Sequence, residues 1–170
     1  MNLEKGMSKE LHTIPPIFDT KCRVLILGSF PSQKSRECAF FYANPQNRFW
    51  RILAAVTNSD SVPTDNAGKK RLLLDNRIAL WDVIKSCTVT GSSDSSIRDV
   101  VPNDIEFILT AAPIEAIICN GRTAYSCFKK FVRIEEKIDV TVLPSTSPAN
   151  ASWPLERLIE AWGSAMEKYI

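Results

Sequence analysis

Val24-Leu25-Ile26-Leu27-Gly28-Ser29-Phe30-Pro31-Ser32 is the stretch on which the fold turns. Its first four residues are apolar without interruption, as in a strand covered on both faces. Gly28 ends that strand on a loop of small residues, and glycine there permits close approach of backbone to a ligand. Phe40-Phe41-Tyr42-Ala43-Asn44-Pro45-Gln46-Asn47-Arg48-Phe49-Trp50 follows within a short reach. Backbone N–H groups, flat rings and carboxamides are thereby delivered to one edge of a sheet, a setting suited to a planar polar ligand.

Outward from this point, strands alternate with helices. Further strands are expected at 78–81, 116–119 and 140–143. Asn47 is a good N-cap for a helix over 48–56, and a polar loop over 57–68 leads to a short helix over 69–76. Asn103-Asp104-Ile105-Glu106 resembles a capping box, with a helix to about residue 110. Asn120-Gly121 turns a strand into a helix over 122–132, with Ala124, Phe128 and Phe131 inward. Ser152 and Pro154 open a last helix whose apolar stripe is Leu155, Leu158, Ile159, Trp162 and Met166. Residues 86–99 read as a loop rich in Ser, Gly and Asp. Residues 1–20, with Pro15-Pro16, read as an irregular lead-in to one domain over 21–170. The pattern predicts an α/β protein with a four-stranded, mostly parallel sheet between helix layers. In such sheets the ligand lies at the carboxyl ends of the strands. The unusual sequences lie there, at 28–32, Asn120-Gly121 and 144–150.

The bulk numbers exclude several classes. The chain has 170 residues, 45% of them apolar, which is enough for a sizeable core and excludes a disordered chain. No apolar run is long enough to span a bilayer, and residues 1–13 mix Glu and Lys with no signal-peptide segment. A cytoplasmic protein without a membrane partner is expected. Net charge is only +2. The basic clusters Lys34 with Arg36, Lys69-Lys70-Arg71 and Lys129-Lys130 with Arg133 read as solvated helix faces. Arg48, beside Arg51, differs in lying inside the aromatic and amide-rich segment. The 5 cysteines form no C-x-x-C pair, and the single histidine, His12, lies outside any motif. No metal or other cofactor is expected, and the thiols suit a reducing compartment.

Ser29, Ser32 and Ser35 are the first candidate nucleophiles. A serine hydrolase needs a base beside its serine. His12 lies in the lead-in and no G-x-S-x-G elbow exists, so these hydroxyls and their amides serve hydrogen bonding to a loop or a ligand. No G-K-[ST] follows to make a phosphate-binding loop. Phe40 and Phe41 suit a core, whereas Tyr42 borders a loop and could stack on a flat base. Asn44, Asn47 and Asn120 are carboxamides near the same edge, able to hold a water or to read the polar edge of a base. Asn44 precedes a proline and is extended; Asn47 also suits a helix cap, and Asn120 a turn. Asp82 reads equally as a carboxylate in the site or as a surface cap.

Taken together, 24–32, 41–50, Asn120-Gly121-Arg122-Thr123-Ala124-Tyr125 and Leu143-Pro144-Ser145-Thr146-Ser147 resemble the uracil-DNA glycosylase superfamily, most closely its hypoxanthine-DNA (deoxyinosine) branch. The resemblance runs from about residue 23 to the last helix. It implies a three-layer α/β/α fold and a monofunctional, cofactor-free glycosylase, acting as a monomer on DNA that contains deaminated bases. It implies that Gly28, Ser29, Phe30, Pro31 and Ser32 line the base pocket with Asn120, and that Tyr42 stacks on the flipped base. It further implies that Arg48 and the loop Pro144, Ser145, Thr146, Ser147 and Pro148 meet DNA. Efficient uracil enzymes carry Asp or Asn in the first motif, where this chain has Phe30 and Pro31. Asn44, or else Asn47, is then expected to place the attacking water, with hypoxanthine as the base and uracil removal weak or absent. The alternatives are a mismatch-type uracil enzyme, a module that binds damaged DNA without cutting it, and an unrelated α/β hydrolase of small esters or nucleosides.

Overall fold

The computed structural model of the chain describes residues 7–90 and 96–170. Along the chain run β1 (Met7–Leu11), β2 (Val24–Gly28), α1 (Gln33–Cys38), α2 (Phe49–Val56), α3 (Asn66–Asp75), β3 (Ile78–Asp82) and β4 (Ile84–Thr90). They are followed by β5 (Arg98–Pro102), α4 (Ile105–Ala111), β6 (Ala116–Asn120), α5 (Arg122–Phe131), β7 (Asp139–Leu143) and α6 (Leu155–Met166). Four strands pair in parallel in the order β3-β2-β6-β7. They are the four strands legible in the sequence.

The side chains of β2 explain its unbroken apolar run. Val24 and Ile26 face one layer, with Phe49, Ile52 and Leu53 of α2 and Leu158, Trp162 and Met166 of α6. Leu25 and Leu27 face the opposite layer, with Ile105 and Ile108 of α4 and Ala124 and Phe128 of α5. All four strand residues are fully buried, and each buried aliphatic side chain contributes about 1.5–3 kcal/mol. The result is a three-layer α/β/α sandwich, as expected. Leu155, Ile159 and Phe131 are only partly buried, at the margins of their helices' inward faces.

The expectations differ from the structure in three places. The lead-in is not irregular throughout: β1 pairs antiparallel with β4, and β4 with β5, in a second sheet of order β1-β4-β5. β1 is almost wholly exposed and polar, so backbone pairing and not a hydrophobic face holds it. Ile17 then bridges Leu80 through reciprocal backbone hydrogen bonds of 3.0 and 2.8 Å, covering the edge of β3 beside Pro15-Pro16. Second, the supposed loop at 86–99 contains most of β4, whose Ser86, Cys87 and Val89 are buried; its residues 91–95, like 1–6, lie outside the described residues. Third, Asn103 caps no helix. Its buried carboxamide donates instead to the carbonyls of Asp82 and Ile84, at 2.9 and 3.2 Å, and ties β4 to the chain before α4.

Candidate active site

The chain runs from β2 outward to β3, then crosses to β6 on the other side of β2. A crevice opens where the strand order reverses, at the carboxyl ends of β2 and β6. A cavity of about 500 Å³ lies there. Gly28, Ser29, Phe30, Pro31 and Ser32 form one wall. Tyr42, Asn44 and Asn47 form another, and Asn120 with Ser145, Thr146, Ser147 and Pro148 a third. Thirteen of the fifteen residues singled out by sequence therefore surround one space; Arg48 and Pro144 do not line it.

Ser32 caps α1: its Oγ accepts from the Ser35 N–H at 3.2 Å. The Ser35 hydroxyl, buried, accepts from the Ala43 N–H at 3.1 Å and so joins the first wall to the second. Ser35 contributes this brace without any nucleophilic setting. Phe40 and Phe41 are core residues, as their composition suggested. Tyr42 takes φ +50, an uncommon conformation for an aromatic residue. It is held there from two sides. Its ring stacks on Phe49, with centroids 4.0 Å apart and planes at 22°, and its hydroxyl accepts from Asn120 Nδ2 at 3.0 Å.

Asn120 is more than a turn residue. Its Nδ2 also donates to Thr146 Oγ1, and its Oδ1 accepts from the Thr146 N–H, both at 3.0 Å. Thr146 Oγ1 in turn donates to Asn47 Oδ1 at 2.8 Å. Next to Asn120, Gly121 takes φ +92, and a Cβ there would stand 3.1 Å from Ser145 Cβ. Only glycine lets the 144–150 loop close on the start of α5.

Arg48 takes a different place from the one expected. Its guanidinium donates to the carbonyls of Ser147 at 2.8 Å, Asn150 at 3.1 Å, Thr146 at 3.4 Å, and Trp153. Four of its N–H directions are thus spent inside the protein, and the loop is riveted to the start of α2. Thr146 is fully buried and meets no duplex from there. Pro144 is turned away from the cavity; its carbonyl accepts from Trp162 Nε1 at 3.1 Å. Within the loop only Pro148 and Ala149 are exposed, at its tip.

The two candidate carboxamides also separate. Asn47 Oδ1 accepts from the Phe49 N–H at 3.0 Å and from Thr146, so both of its lone pairs are used. Asn44 Oδ1 accepts from the Gln46 N–H at 2.9 Å, one bond for two lone pairs. Asn44 is half-buried at the mouth of the cavity.

Asp82 and His12 are the residues that sequence reasoning left undecided or set aside. Asp82 ends β3, lies on the cavity wall and is 4% exposed. His12 Nε2 is 2.7 Å from its Oδ2. Asp82 carries a sequence signal, since it ends an apolar strand beside the first motif. His12 carries none; the pairing of β1 with β4 brings it there, 70 residues away along the chain. Among the described residues no group of three His, Cys, Asp or Glu side chains is placed to hold a metal ion, and no helix is long and apolar enough to cross a membrane.

Comparison with known proteins agrees with this geometry. Residues 15–164 match the family described as the Uracil DNA glycosylase superfamily. A hypoxanthine DNA glycosylase of Methanosarcina acetivorans is 36% identical over 146 residues, 84% of this chain and 90% of the relative. A hypoxanthine DNA glycosylase of Methanosarcina barkeri is 30% identical over 157 residues, 91% of this chain and 96% of the relative. The solution NMR structure of a candidate uracil DNA glycosylase from Methanosarcina acetivorans superposes with a TM-score of 0.77 at 32% identity, over 92% of this chain and 96% of that one.

Proposed function

From the premise that this chain belongs to the uracil DNA glycosylase superfamily, we propose that it hydrolyses the N-glycosidic bond of hypoxanthine extruded from DNA. The observation that carries this reading is the single cavity at the switch point, walled by the first motif, Tyr42 and the Asn120–Thr146 network, with Asn44 at its mouth. The two hypoxanthine DNA glycosylases among its relatives support the choice of base.

Tyr42 stacks on the base. Its ring is backed by Phe49, and base–aromatic stacking contributes about 1–3 kcal/mol, against an extrusion cost of a few kcal/mol. The exposed tip, Pro148 and Ala149, fills the space left in the duplex. The free lone pair of Asn44 Oδ1 orients a water at C1′ of the deoxyribose. That water's oxygen bonds C1′ as the glycosidic bond breaks; the bonding pair leaves with the base, which ends protonated, and the sugar keeps a hydroxyl. Backbone N–H groups of the 28–32 wall stabilise charge building on the base. Asn47 and Arg48 act as positioning residues that fix the walls. The enzyme works as a monomer in the cytoplasm, where its cysteine thiols stay reduced, and the 7–20 segment packs into the same domain as residues 21–170.

The test is an oligonucleotide panel carrying hypoxanthine, xanthine or uracil, with alkali cleavage at abasic sites. Strand scission at hypoxanthine, at a rate above that at uracil, is expected. Binding without scission at any of the three bases overturns the reading in favour of a damage-binding module.

A further inference from the structure

The mechanism above leaves one buried ionisable pair unused. Asp82 and His12 lie beneath the first motif with side chains 6% and 1% exposed. The His12 ring is in contact with the rings of Phe30 and Phe41, with centroids 6.2 and 6.0 Å away. Its tautomer follows from its partners. The Ile14 N–H donates to Nδ1 at 3.2 Å, so Nδ1 carries no proton. Nε2 is therefore protonated and donates to Asp82 Oδ2 at 2.7 Å. A neutral histidine thus engages one carboxylate oxygen, Oδ2, and leaves the other, Oδ1, against Gly28. Oδ1 occupies the place where a side chain at position 28 would begin: a Cβ on Gly28 would stand 2.3 Å from it and 3.0 Å from the Tyr42 hydroxyl. Gly28 is the opening that lets the carboxylate reach the cavity.

Depth assigns the part of the ligand it meets. A base entering from the duplex goes in far edge first and leaves its sugar at the mouth. Asn44, half-buried at the mouth, meets the sugar, and Asp82, nearly inaccessible at the floor, meets the far edge of the ring. Deamination changes that edge in one defined way. Adenine and cytosine present a bare ring nitrogen, an acceptor; hypoxanthine and uracil present a ring N–H, a donor. A carboxylate accepts from the N–H and meets the bare nitrogen lone pair to lone pair.

Resting on the reading of the site as a base pocket, we propose that Asp82, oriented by His12, distinguishes deaminated bases from their parents by accepting a hydrogen bond from the ring N–H. Asp82 touches the base and His12 is a positioning residue. Guanine also carries such an N–H, so the device acts against adenine and cytosine alone.

The test uses duplexes in which 2′-fluoro deoxyinosine or 2′-fluoro deoxyadenosine blocks cleavage, so that affinities are measured without turnover. Wild-type protein is expected to prefer the inosine duplex at least roughly tenfold, and Asp82→Asn, which can donate to a bare nitrogen, to narrow that preference roughly tenfold or more. Affinity for abasic-site DNA, which has no base to read, is measured beside it, so that any general change in DNA binding is divided out of the preference. His12→Ala narrows the preference in the same direction. His12→Gln, which restores an N–H donor at the same reach, recovers it. An Asp82→Asn protein with wild-type preference, or a His12→Gln protein no better than His12→Ala, overturns the inference. Should Asp82→Asn fail to fold, wild-type protein answers with 2′-fluoro nebularine, whose ring N1 is bare: affinity equal to that for inosine overturns it. Hypoxanthine release from ordinary substrate by the wild type separates the two levels. With no release the parent reading falls and this one with it; release together with an unchanged preference in Asp82→Asn removes this one alone.

Discussion

Asn44 and Asn47 stand three residues apart on the same segment, carry the same side chain and line the same cavity, yet they are built into opposite surroundings. Asn47 lies in a seam where Arg48, Thr146 and Asn120 exchange hydrogen bonds across three chain segments. Asn44 lies at the rim, where its side chain accepts from the Gln46 N–H of its own turn. The contrast teaches that residue type alone does not tell a committed acceptor from an open one; the number of acceptor sites already taken does. A carboxamide with both lone pairs engaged holds protein to protein. One with a lone pair in hand can hold a water.

The largest expected effect sharpens that contrast. Asn44→Ala lowers single-turnover release of hypoxanthine by about 100- to 1,000-fold, the size of losing one placed polar group at a reacting centre. Its stability in urea changes by less than about 0.5 kcal/mol, as at other sites without buried bonds. Asn47→Ala reverses the pattern and loses about 1–3 kcal/mol of stability, because the Thr146 hydroxyl and the Phe49 N–H lose their acceptor. Equal catalytic losses with equal stability losses in the two variants would erase the distinction between rim and seam.

A second variant attacks the seam itself. Arg48→Ala removes the donor to four carbonyls, and denaturation should show a loss of about 2–4 kcal/mol. Release of hypoxanthine falls with it, since the loop that carries Pro148 is no longer riveted. A stable, active Arg48→Ala protein would remove Arg48 from the scaffold and leave it the DNA contact that the resemblance implied.

The smallest effect lies in neither region but in the sheet that supports both. Burial pushes the Cys119 thiol up from 9.0 to about 12. The folded state therefore binds its proton more tightly than the unfolded chain does. This contribution is complete below pH 9 and declines as pH rises toward 12. Cys119→Ala should flatten that alkaline decline in a series of thermal melts, and an unchanged slope would assign it to other groups.

β2, β3 and β6 were legible because each is short, apolar and bounded by turn residues, and a strand buried on both faces leaves that trace in composition; β7, a mostly exposed edge strand, showed only Val140, Val142 and Leu143. The cavity walls were legible for a related reason: small residues, carboxamides and rings gathered at strand ends have no use in a core. β1 was not legible. Its Met7–Leu11 segment lacks a hydrophobic face and is held by a ladder to β4 whose partners stand far off in sequence. Arg48 was legible as unusual but misjudged in role, because a guanidinium bound to carbonyls and one bound to phosphate look alike in sequence.

By itself the sequence determined the alternation of strands and helices, the order of the core elements and the edge at which chemistry collects, since these follow from local hydrophobic pattern and turn chemistry. The tertiary structure alone decided which asparagine keeps a lone pair and that Arg48 turns inward. It also set His12 against Asp82. Those outcomes depend on hydrogen bonds between segments far apart in the chain, and a donor or acceptor reveals its partner only when folding has brought the two within about 3 Å.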